Sequence, residues 1–379
     1  MKIIVAPDSF KNSMSAKLAT KQIIAGIKEG RPELDCVGLP MADGGEGTMS
    51  VLLAHIGGKL VETQVENALG KPIRAQFGIS KDHKIAMLDM ASASGIEHLS
   101  EQQLNPLKTS SYGTGQLLKA CLRYSPQRVY LGVGGSATND AGVGALQALG
   151  FQFLNDQGNS IIRGNTGLSE LAQIQQPQKT LHMPEIVVLN DVANPLLGQN
   201  GASRVFGPQK GATPSMIQKM EGNLTHLTEV VSQTFGIDYA GDWGTGGAGG
   251  LSYGLKAFLH AKLQSGIQTI LEFMHFSKLC QSADYVITGE GSFDAQSKSG
   301  KVPFGIAQAC LTANPRCRVI ILAGKIASDL GNLPSNIEMI KNINDLAAIN
   351  QKKPDYGSEN IKRTGNWLGK YLIKKVGEN

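Results

Sequence analysis

Five glycine-rich turns carry acidic or hydroxyl side chains, and they are spread over most of the 379 residues of the chain. Glycine lets a backbone approach a ligand closely, and the free N–H groups at the start of a helix attract phosphate. Carboxylates beside such turns are typical ligands of a divalent cation. The combination predicts an enzyme that handles phosphates. The turns read APDSFKNS (Ala6–Ser13), ADGGEGT (Ala42–Thr48), GVGGSATNDAG (Gly132–Gly142), GTGGAGG (Gly244–Gly250) and TGEGSFDAQS (Thr288–Ser297).

The first turn follows a short apolar run, Lys2–Ala6. Ligands of open α/β sheets bind at this end of a strand. Asp8 is therefore a candidate catalytic residue and Mg²⁺ ligand, with Ser9 beside it as a binding residue. Lys11 is a candidate catalytic residue that would meet a carboxylate or a phosphate. The alternative is that Asp8 or Ser9 only caps the following helix.

The second turn contains three glycines within five residues. Glycines carry a conformational-entropy cost that an ordinary turn does not need. We therefore predict that Asp43, Gly44, Gly45 and Glu46 contact a ligand, with Asp43 as a further candidate for the metal. Helix capping is the alternative.

The third turn follows the apolar strand Arg128–Gly132 and is predicted to open a helix. Its amides and hydroxyls then converge on a cradle for phosphate. The alternative is a tight turn that is capped by Thr138 or Asp140. The candidate binding residues are Gly134, Gly135, Ser136, Thr138 and Asn139.

Two stretches in the middle of the chain add an acid and two cations. Asp191 follows the strand Glu185–Leu189 and is a candidate general base or metal ligand. Arg204 and Lys210 are candidates for clamping an anion, and arginine is the better bidentate partner for a carboxylate. Ordinary surface charge is the alternative for both cations.

The fifth turn is interpreted as a glycine turn that ends an apolar strand. Acid, glycine, acid and lysine in one stretch suit contact with a metal–nucleotide complex. A solvated loop is the alternative. Glu290 is a candidate metal ligand, and the candidate binding residues are Gly289, Glu290, Gly291, Asp294 and Lys301.

Several other classes of protein are not indicated. No Gly-Lys pair is followed by Ser or Thr, so a Walker A loop is absent, and Gly244–Gly249 matches GxGxxG without a convincing strand before it. The net charge of +5 is mild, and no basic stripe predicts nucleic-acid binding. The five cysteines form no CxxC pair, so neither a disulfide framework nor a zinc site is predicted. No stretch approaches the ~20 apolar residues of a membrane span, and a reducing cytoplasm fits best.

The elements that position these turns follow a strand–loop–helix order at both ends of the chain. Two strands near the start and three near the end predict one doubly wound parallel sheet of order 2-1-3-4-5. The middle, with antiparallel strands in Val61–Asp89, is predicted to be an inserted α/β domain. The predicted domains are residues 1–60 with 281–379, and residues 61–280. The five sheet strands are Lys2–Ala6, Cys36–Met41, Asp284–Thr288, Arg318–Ala323 and Ile337–Ile340.

Taken together, the motifs resemble those of the bacterial type-I glycerate kinases, in that family's order from Met1 to about Gly324. The resemblance implies ATP-dependent phosphorylation of D-glycerate, with Mg²⁺ as the companion of the nucleotide. It also implies a flavodoxin-like domain that is interrupted by an α/β domain similar to the restriction-endonuclease fold. Asn190 stands where cysteine is common in relatives, and Ser292-Phe293 replace a frequent Arg-Ile pair. The matching stretches include APDSFKNSMSA, MADGGEGT, TSSYGTGQLL, LGVGGSATNDAGVGALQALG, NDVANPLLGQNGASRVFGPQKGA, GTGGAGGLSYGL and ADYVITGEGSFDAQSKSGKVP.

The expected reaction is in-line transfer of the γ-phosphoryl group of ATP to a glycerate hydroxyl. Asp191 is the candidate base, and Lys11, Arg204 or Lys210 would hold the glycerate carboxylate. 2-Phosphoglycerate is favoured as the product, with 3-phosphoglycerate as the other possibility. Two alternatives stay open, a kinase of another small hydroxy acid and a non-catalytic sensor of phosphometabolites. The oligomeric state, monomer or homodimer, is also open. The candidate ligands of Mg²⁺ are Asp8, Asp43, Asp191 and Glu290.

Overall fold

The computed structural model describes residues 1–10, 13–44, 47–178, 182–294, 301–346 and 356–376. Within these residues the chain has a mixed α/β architecture. The strands are Lys2–Val5 (β1), Asp35–Gly38 (β2), Gly58–Glu66 (β3), Pro72–Ser80 (β4), Ile85–Asp89 (β5), Arg128–Gly132 (β6), Gln152–Leu154 (β7), Gln173–Gln175 (β8), Glu185–Leu189 (β9), Lys262–Gln264 (β10), Tyr285–Phe293 (β11), Arg318–Ile326 (β12) and Ile337–Asn342 (β13). The α-helices are Ala16–Gly30 (α1), Thr48–Ile56 (α2), Ala91–Ser94 (α3), Tyr112–Leu122 (α4), Val143–Ala148 (α5), Ala202–Phe206 (α6), Pro214–Phe235 (α7), Gly247–Leu259 (α8), Gly266–Phe273 (α9), Phe276–Cys280 (α10), Val302–Ala313 (α11) and Tyr356–Val376 (α12). Short 3₁₀ helices lie at Ile96–His98, Glu101–Gln103, Asn165–Glu170 and Pro208–Lys210.

The chain forms two compact units, Met1–Asp43 with Gly266–Asn379, and Gly44–Ser265. The domain boundaries predicted from the sequence lie at residues 60 and 281. The difference at the first boundary is helix α2, which packs on β4 and β5 of the second unit. At the second boundary, α9 and α10 pack on α11 of the first unit.

The first unit is built on a five-stranded sheet in which all neighbours are parallel. The strand order is β2-β1-β11-β12-β13. The central strands are continuous apolar runs because helices cover both faces of a parallel sheet. Ile3, Ile4 and Val5 of β1 are fully buried.

Helix α1 packs on β1 and β2 of this sheet and on helix α12. It begins after Ser15, whose hydroxyl accepts a hydrogen bond from the amide of Leu18 at 3.3 Å. Its inner face buries Ile23 and Ile27 completely, and each such side chain contributes roughly 1.5–3 kcal/mol of hydrophobic stabilisation. Gly26 lies so close to the backbone of α12 that a Cβ there would clash with the carbonyl of Lys362.

The second unit contains a six-stranded sheet of order β10-β9-β6-β5-β4-β3. Strands β3, β4 and β5 are antiparallel, as the sequence predicted, and β5, β6, β9 and β10 are parallel. A two-stranded antiparallel sheet, β7 with β8, lies beside it. Because β6 and β9 are buried and parallel, the residues that follow them are delivered to one edge of the sheet.

One local prediction is wrong. Gly289 and Gly291 do not form a turn, because β11 continues through them and stays paired with β12 as far as Phe293 and Ile326. The reason is close packing between strands: a Cβ at Gly289 would clash with the carbonyl of Leu322. Glycine inside a strand often marks such an approach.

Among the residues that the structure describes, no helix combines the length and the apolar character needed to cross a membrane.

Candidate active site

The carboxyl end of β1 lies directly beside the middle of β11. The amide of Asp8 donates to the carbonyl of Gly289 at 2.9 Å, and the hydroxyl of Thr288 donates to the carbonyl of Ala6 at 2.8 Å. The Asp8 carboxylate also accepts a hydrogen bond from the amide of Ser9 at 2.6 Å. The backbone of the first unit therefore holds Asp8 and Ser9 next to the Gly-Glu-Gly segment of β11.

Two carboxylates and one ammonium group lie in and beside β11 and α11: Glu290 in β11, Asp294 directly after it, and Lys301 directly before α11. Lys301 Nζ lies 3.5 Å from Glu290 Oε2 and 3.6 Å from Asp294 Oδ1. Glu290 is 7% exposed, so its charge is shielded from water much more than that of Asp294. Three predicted residues, Glu290, Asp294 and Lys301, are thus brought together. The ammonium group of Lys301 is the cation that lies near both carboxylates.

The segment after β2 reaches the same edge of the first sheet. The amide of Leu39 donates to the carbonyl of Val5 at 2.8 Å, and that of Met41 donates to Pro7 at 2.9 Å. The chain then passes Asp43 to Gly44, which has a φ of +90° that favours glycine. The predicted residues Lys11, Gly45 and Glu46 lie outside the described residues.

The turn Gly134–Asn139 of the second unit surrounds a buried ammonium group. Lys210 Nζ donates to the hydroxyl of Ser136 at 2.6 Å and to the carbonyl of Thr138 at 2.7 Å. Lys210 is 2% exposed, so the alternative of a surface charge is wrong for this residue. Arg204, in contrast, is exposed on α6.

The same turn differs from the predicted helix start. The turn was predicted to open a helix directly, but helix α5 begins only at Val143, four residues after Asn139. The amide of Ala137 donates to the carbonyl of Ser94 at 3.0 Å, and the carbonyl of Gly135 accepts from Ile96 at 2.8 Å. The hydroxyl of Thr138 and the amide nitrogen of Asn139 are buried and have no hydrogen-bond partner among the described residues. Both residues are fully buried, so these two groups are candidates for binding a ligand only within the proposed function.

Asp140 organises the far side of this turn, and the sequence prediction treated it only as a possible cap. Its carboxylate accepts hydrogen bonds from the amide of Ser111 at 2.8 Å and from the hydroxyls of Ser111 and Ser110 at 3.0 and 3.2 Å. The amides of Gly142 and Gly144 add two more. Burial raises the pKa of Asp140, and these donors oppose that shift because they favour the carboxylate.

A network of buried side-chain amides is hydrogen-bonded to the turn, and it was not predicted from the sequence. Asn165 Nδ2 donates to the carbonyl of Asn139 at 2.9 Å, and Asn223 Nδ2 donates to Asn165 Oδ1 at 2.9 Å. The hydroxyl of Ser203 donates to Asn139 Oδ1 at 3.2 Å. Buried polar groups that are paired in this way fix one arrangement of the backbone.

Asp191 lies at the carboxyl end of β9, beside the end of β10. The hydroxyl of Ser265 donates to Asp191 Oδ1 at 2.9 Å. The preceding residue, Asn190, donates from its side-chain amide to the carbonyl of Gly244 at 2.7 Å. Asn190 therefore ties the Asp191 segment to the GTGGAGG turn, which gives this departure from the family pattern a structural role.

The GTGGAGG turn is packed against protein rather than exposed at a strand end. Ala248, Gly249 and Gly250 have φ values of +53°, +64° and +86°. The carbonyl of Gly249 accepts a hydrogen bond from the amide of Ala141 at 3.0 Å, and a Cβ at Gly249 would clash with the carbonyl of Thr138. The glycines thus allow the GTGGAGG turn to pack closely against the Gly134–Asn139 turn.

The buried lysine predicts a dependence of stability on pH. Burial lowers the pKa of Lys210 from 10.5 to about 7, and the nearby Asp140 opposes this shift. Between these two values the unfolded chain holds one proton more than the folded chain, so the free energy of unfolding rises with pH. We expect a rise of about 2 kcal/mol from pH 7 to pH 9 that is missing in Lys210→Met. Urea unfolding of both proteins at each pH measures it, and equal slopes against pH would contradict it.

Comparisons with known proteins agree over nearly the whole chain. The model of the glycerate kinase family matches residues 3–372. Glycerate kinase of Haemophilus influenzae is 40% identical over 382 residues, which cover 99% of this chain and 100% of that protein. Glycerate 2-kinase of Escherichia coli K12 is 40% identical over 333 residues, 87% of each chain. A crystal structure from Salmonella typhimurium LT2, provisionally named glycerate kinase 2, has a TM-score of 0.84 at 38% identity and covers 100% of this chain.

The mixed α/β fold and these relatives define the protein as a kinase. The chain belongs to the glycerate kinase family.

Proposed function

We propose that the chain transfers the γ-phosphoryl group of ATP to a hydroxyl of D-glycerate, giving 2-phosphoglycerate and ADP. The observation that carries the proposal is the group of carboxylates and one ammonium at the carboxyl end of the first sheet. Asp8 is hydrogen-bonded to Gly289, and Lys301 lies between Glu290 and Asp294. Phosphoryl transfer needs such charges because it depends on positioning and neutralisation more than on covalent chemistry. The name of the E. coli relative supports the 2-position.

Mg²⁺ fits the residues of this edge. Asp8 and Glu290 supply hard oxygen donors, the type that Mg²⁺ prefers, and Asp43 is a further candidate of the first unit. Asp191 is a separate candidate that belongs to the second unit. The ammonium of Lys301 at 3.5 Å from Glu290 supports a site that favours positive charge. When bound, the ion would neutralise charge on the phosphates of the nucleotide.

The residues of the second unit receive the remaining roles in this proposal. Asp191 is the base that accepts the proton of the glycerate hydroxyl, and Ser265 orients it through the 2.9 Å hydrogen bond. Thr138 and Asn139 offer a hydroxyl and an amide donor to a phosphate or to the substrate. Arg204, exposed on α6, holds the carboxylate of glycerate. Lys210 stabilises the turn through its hydrogen bond to the hydroxyl of Ser136.

The finer description of the fold belongs to the same proposal. We assign the first unit to the flavodoxin-like folds, which is supported by its strand order of second, first, third, fourth and fifth. The second unit is assigned a restriction-endonuclease-like fold on the basis of the family resemblance alone. A reducing compartment such as the cytoplasm is supported by five free cysteines.

The test is formation of ADP by the purified chain with MgATP and D-glycerate, followed by ³¹P NMR of the product. Resonances of 2-phosphoglycerate support the proposal, and those of 3-phosphoglycerate would correct the position. A parallel panel of small hydroxy acids separates the alternatives. Turnover of another acid but not of glycerate indicates a different kinase. Tight binding of glycerate without ADP indicates a sensor.

Glu290→Gln is expected to lower kcat/KM for MgATP by about 10- to 100-fold, because an amide keeps the shape but removes the charge of a candidate metal ligand. Asp284→Asn is the matched control, since Asp284 precedes β11 at its amino end and accepts the amide of Lys2 at 2.7 Å. We expect the control to keep the normal kcat/KM. Steady-state kinetics over a range of MgATP measures both, and equal losses would remove Glu290 from the site.

A further inference from the structure

Three of the five cysteines meet at the amino edge of the first sheet, away from Asp8 and Glu290. Cys280 ends α10, Cys310 lies in α11, and Cys317 precedes β12. Their Sγ atoms all lie within 4.8 Å of one another, and each residue is 0% exposed. We call these residues the three-thiol cluster. Since the positions are far apart in sequence and match no spacing motif, only the fold reveals the cluster.

A single asparagine holds the backbones of all three cysteines. Asn314 Nδ2 donates to the carbonyl of Cys280 at 3.0 Å, and the amide of Asn314 donates to Cys310 at 2.8 Å. The carbonyl of Asn314 accepts the amide of Cys317 at 2.9 Å. The cluster is therefore positioned before any ligand arrives, as a built site requires.

The number of thiols and their burial decide which ion the cluster suits. Structural zinc is almost always bound by four protein ligands, and the residues that the structure describes bring three candidate ligand groups together here. Three thiolates around a divalent ion also leave a net negative charge in a buried place, which is costly. Three thiolates around a trivalent ion form a neutral complex.

We propose that the three-thiol cluster is a binding site for a trivalent thiophilic ion, with arsenite as its simplest form. One As(OH)₃ reacts with three thiols. Three S–H and three As–O bonds break, three As–S bonds form, and three water molecules leave. Arsenic stays trivalent, so no oxidant or reductant takes part. Both the free acid and the product are neutral, so no net charge is transferred into the buried site.

The three As–S bonds link α10, α11 and the start of β12. Because the folded chain holds the three thiols close together, it binds the ion more tightly than the unfolded chain does, and the bound ion therefore stabilises the first unit.

The experiment uses the full chain, reduced with a phosphine, incubated with sodium arsenite and then freed of excess by gel filtration. We expect one arsenic per chain and an X-ray absorption spectrum with three sulfur neighbours. Cys280→Ser, Cys310→Ser and Cys317→Ser should each lose retained arsenic. Cys36→Ser and Cys121→Ser are matched controls outside the cluster and should keep it. Asn314→Ala keeps all the thiols and should weaken binding about tenfold.

The same measurements can overturn the proposal. Arsenic with oxygen neighbours in the wild-type spectrum, or equal retention in Cys310→Ser and Cys36→Ser, would exclude the cluster as the site. Zinc chloride offered in competition tests the charge argument, and zinc binding more tightly than arsenite would refute the preference for a trivalent ion. The wild-type spectrum decides the matter even where a serine variant does not fold.

Discussion

Replacing Asp191 by asparagine is expected to lower kcat by about 10²- to 10⁴-fold while the chain stays folded. Asparagine has nearly the same shape, and its side-chain oxygen can still accept the hydrogen bond of Ser265, but it cannot take a proton from the substrate. KM for glycerate should change much less than kcat, because the loss occurs in the transition state. Initial rates of ADP formation give both constants, and thermal unfolding checks the fold.

Ser265→Ala is the control that separates orientation from chemistry. It removes the 2.9 Å hydrogen bond to Asp191 Oδ1 but leaves the carboxylate in place. We expect a loss in kcat of about tenfold or less, in line with the net strength of one hydrogen bond. Near-normal turnover of Asp191→Asn would remove Asp191 from the chemistry. Equal losses in both variants would make it a positioning residue.

The sequence predicted most elements whose signal is local. The strands Arg128–Gly132 and Glu185–Leu189 are found with the predicted bounds, because each is a short apolar run between turn residues. Helix α7 has a local start signal of the same kind, because Thr213 caps it and Pro214 is its first residue. Such signals depend on residues a few positions apart, so they can be recognised from the sequence alone.

The misread segment of β11 shows where local reading fails. Glycine permits both a turn and the close approach of another backbone, and its neighbours in sequence do not distinguish the two. The deciding contact is with the carbonyl of Leu322, more than thirty positions away. Glu290 therefore stays a candidate, and only the local conformation predicted for it was wrong.

The buried polar groups had no local signal for their partners. In the candidate site, Asp140 draws its partners from Ser110 and Ser111, and at the other edge of the first sheet the cysteines of the three-thiol cluster come from three separate segments. A single buried polar residue looks like any other turn or core residue in the sequence. Only the packing of distant elements shows that these groups satisfy one another.

Gly249→Ala is expected to lower the free energy of unfolding by about 4 kcal/mol. The residue has a φ of +64°, a left-handed conformation that costs an alanine on the order of 1–3 kcal/mol. Its Cβ would also clash with the carbonyl of Thr138, and overpacking costs about 1–3 kcal/mol more. Urea unfolding followed by circular dichroism measures the change.

Two other glycines, one inside α7 and one directly after it, serve as controls that separate the backbone cost from the packing cost. Gly236 has a φ of +68° and open space where a Cβ would lie, so Gly236→Ala should show the backbone cost alone. Gly222, inside α7, has open space and helical backbone, so Gly222→Ala should stabilise the chain by up to about 1 kcal/mol. The carbonyl that the Gly249 variant would displace is the one that Lys210 binds at 2.7 Å. Gly249→Ala should therefore reduce kcat as well. If Gly249→Ala lowered the free energy of unfolding no more than Gly236→Ala does, the two turns could separate without cost, and the expected packing cost would be wrong.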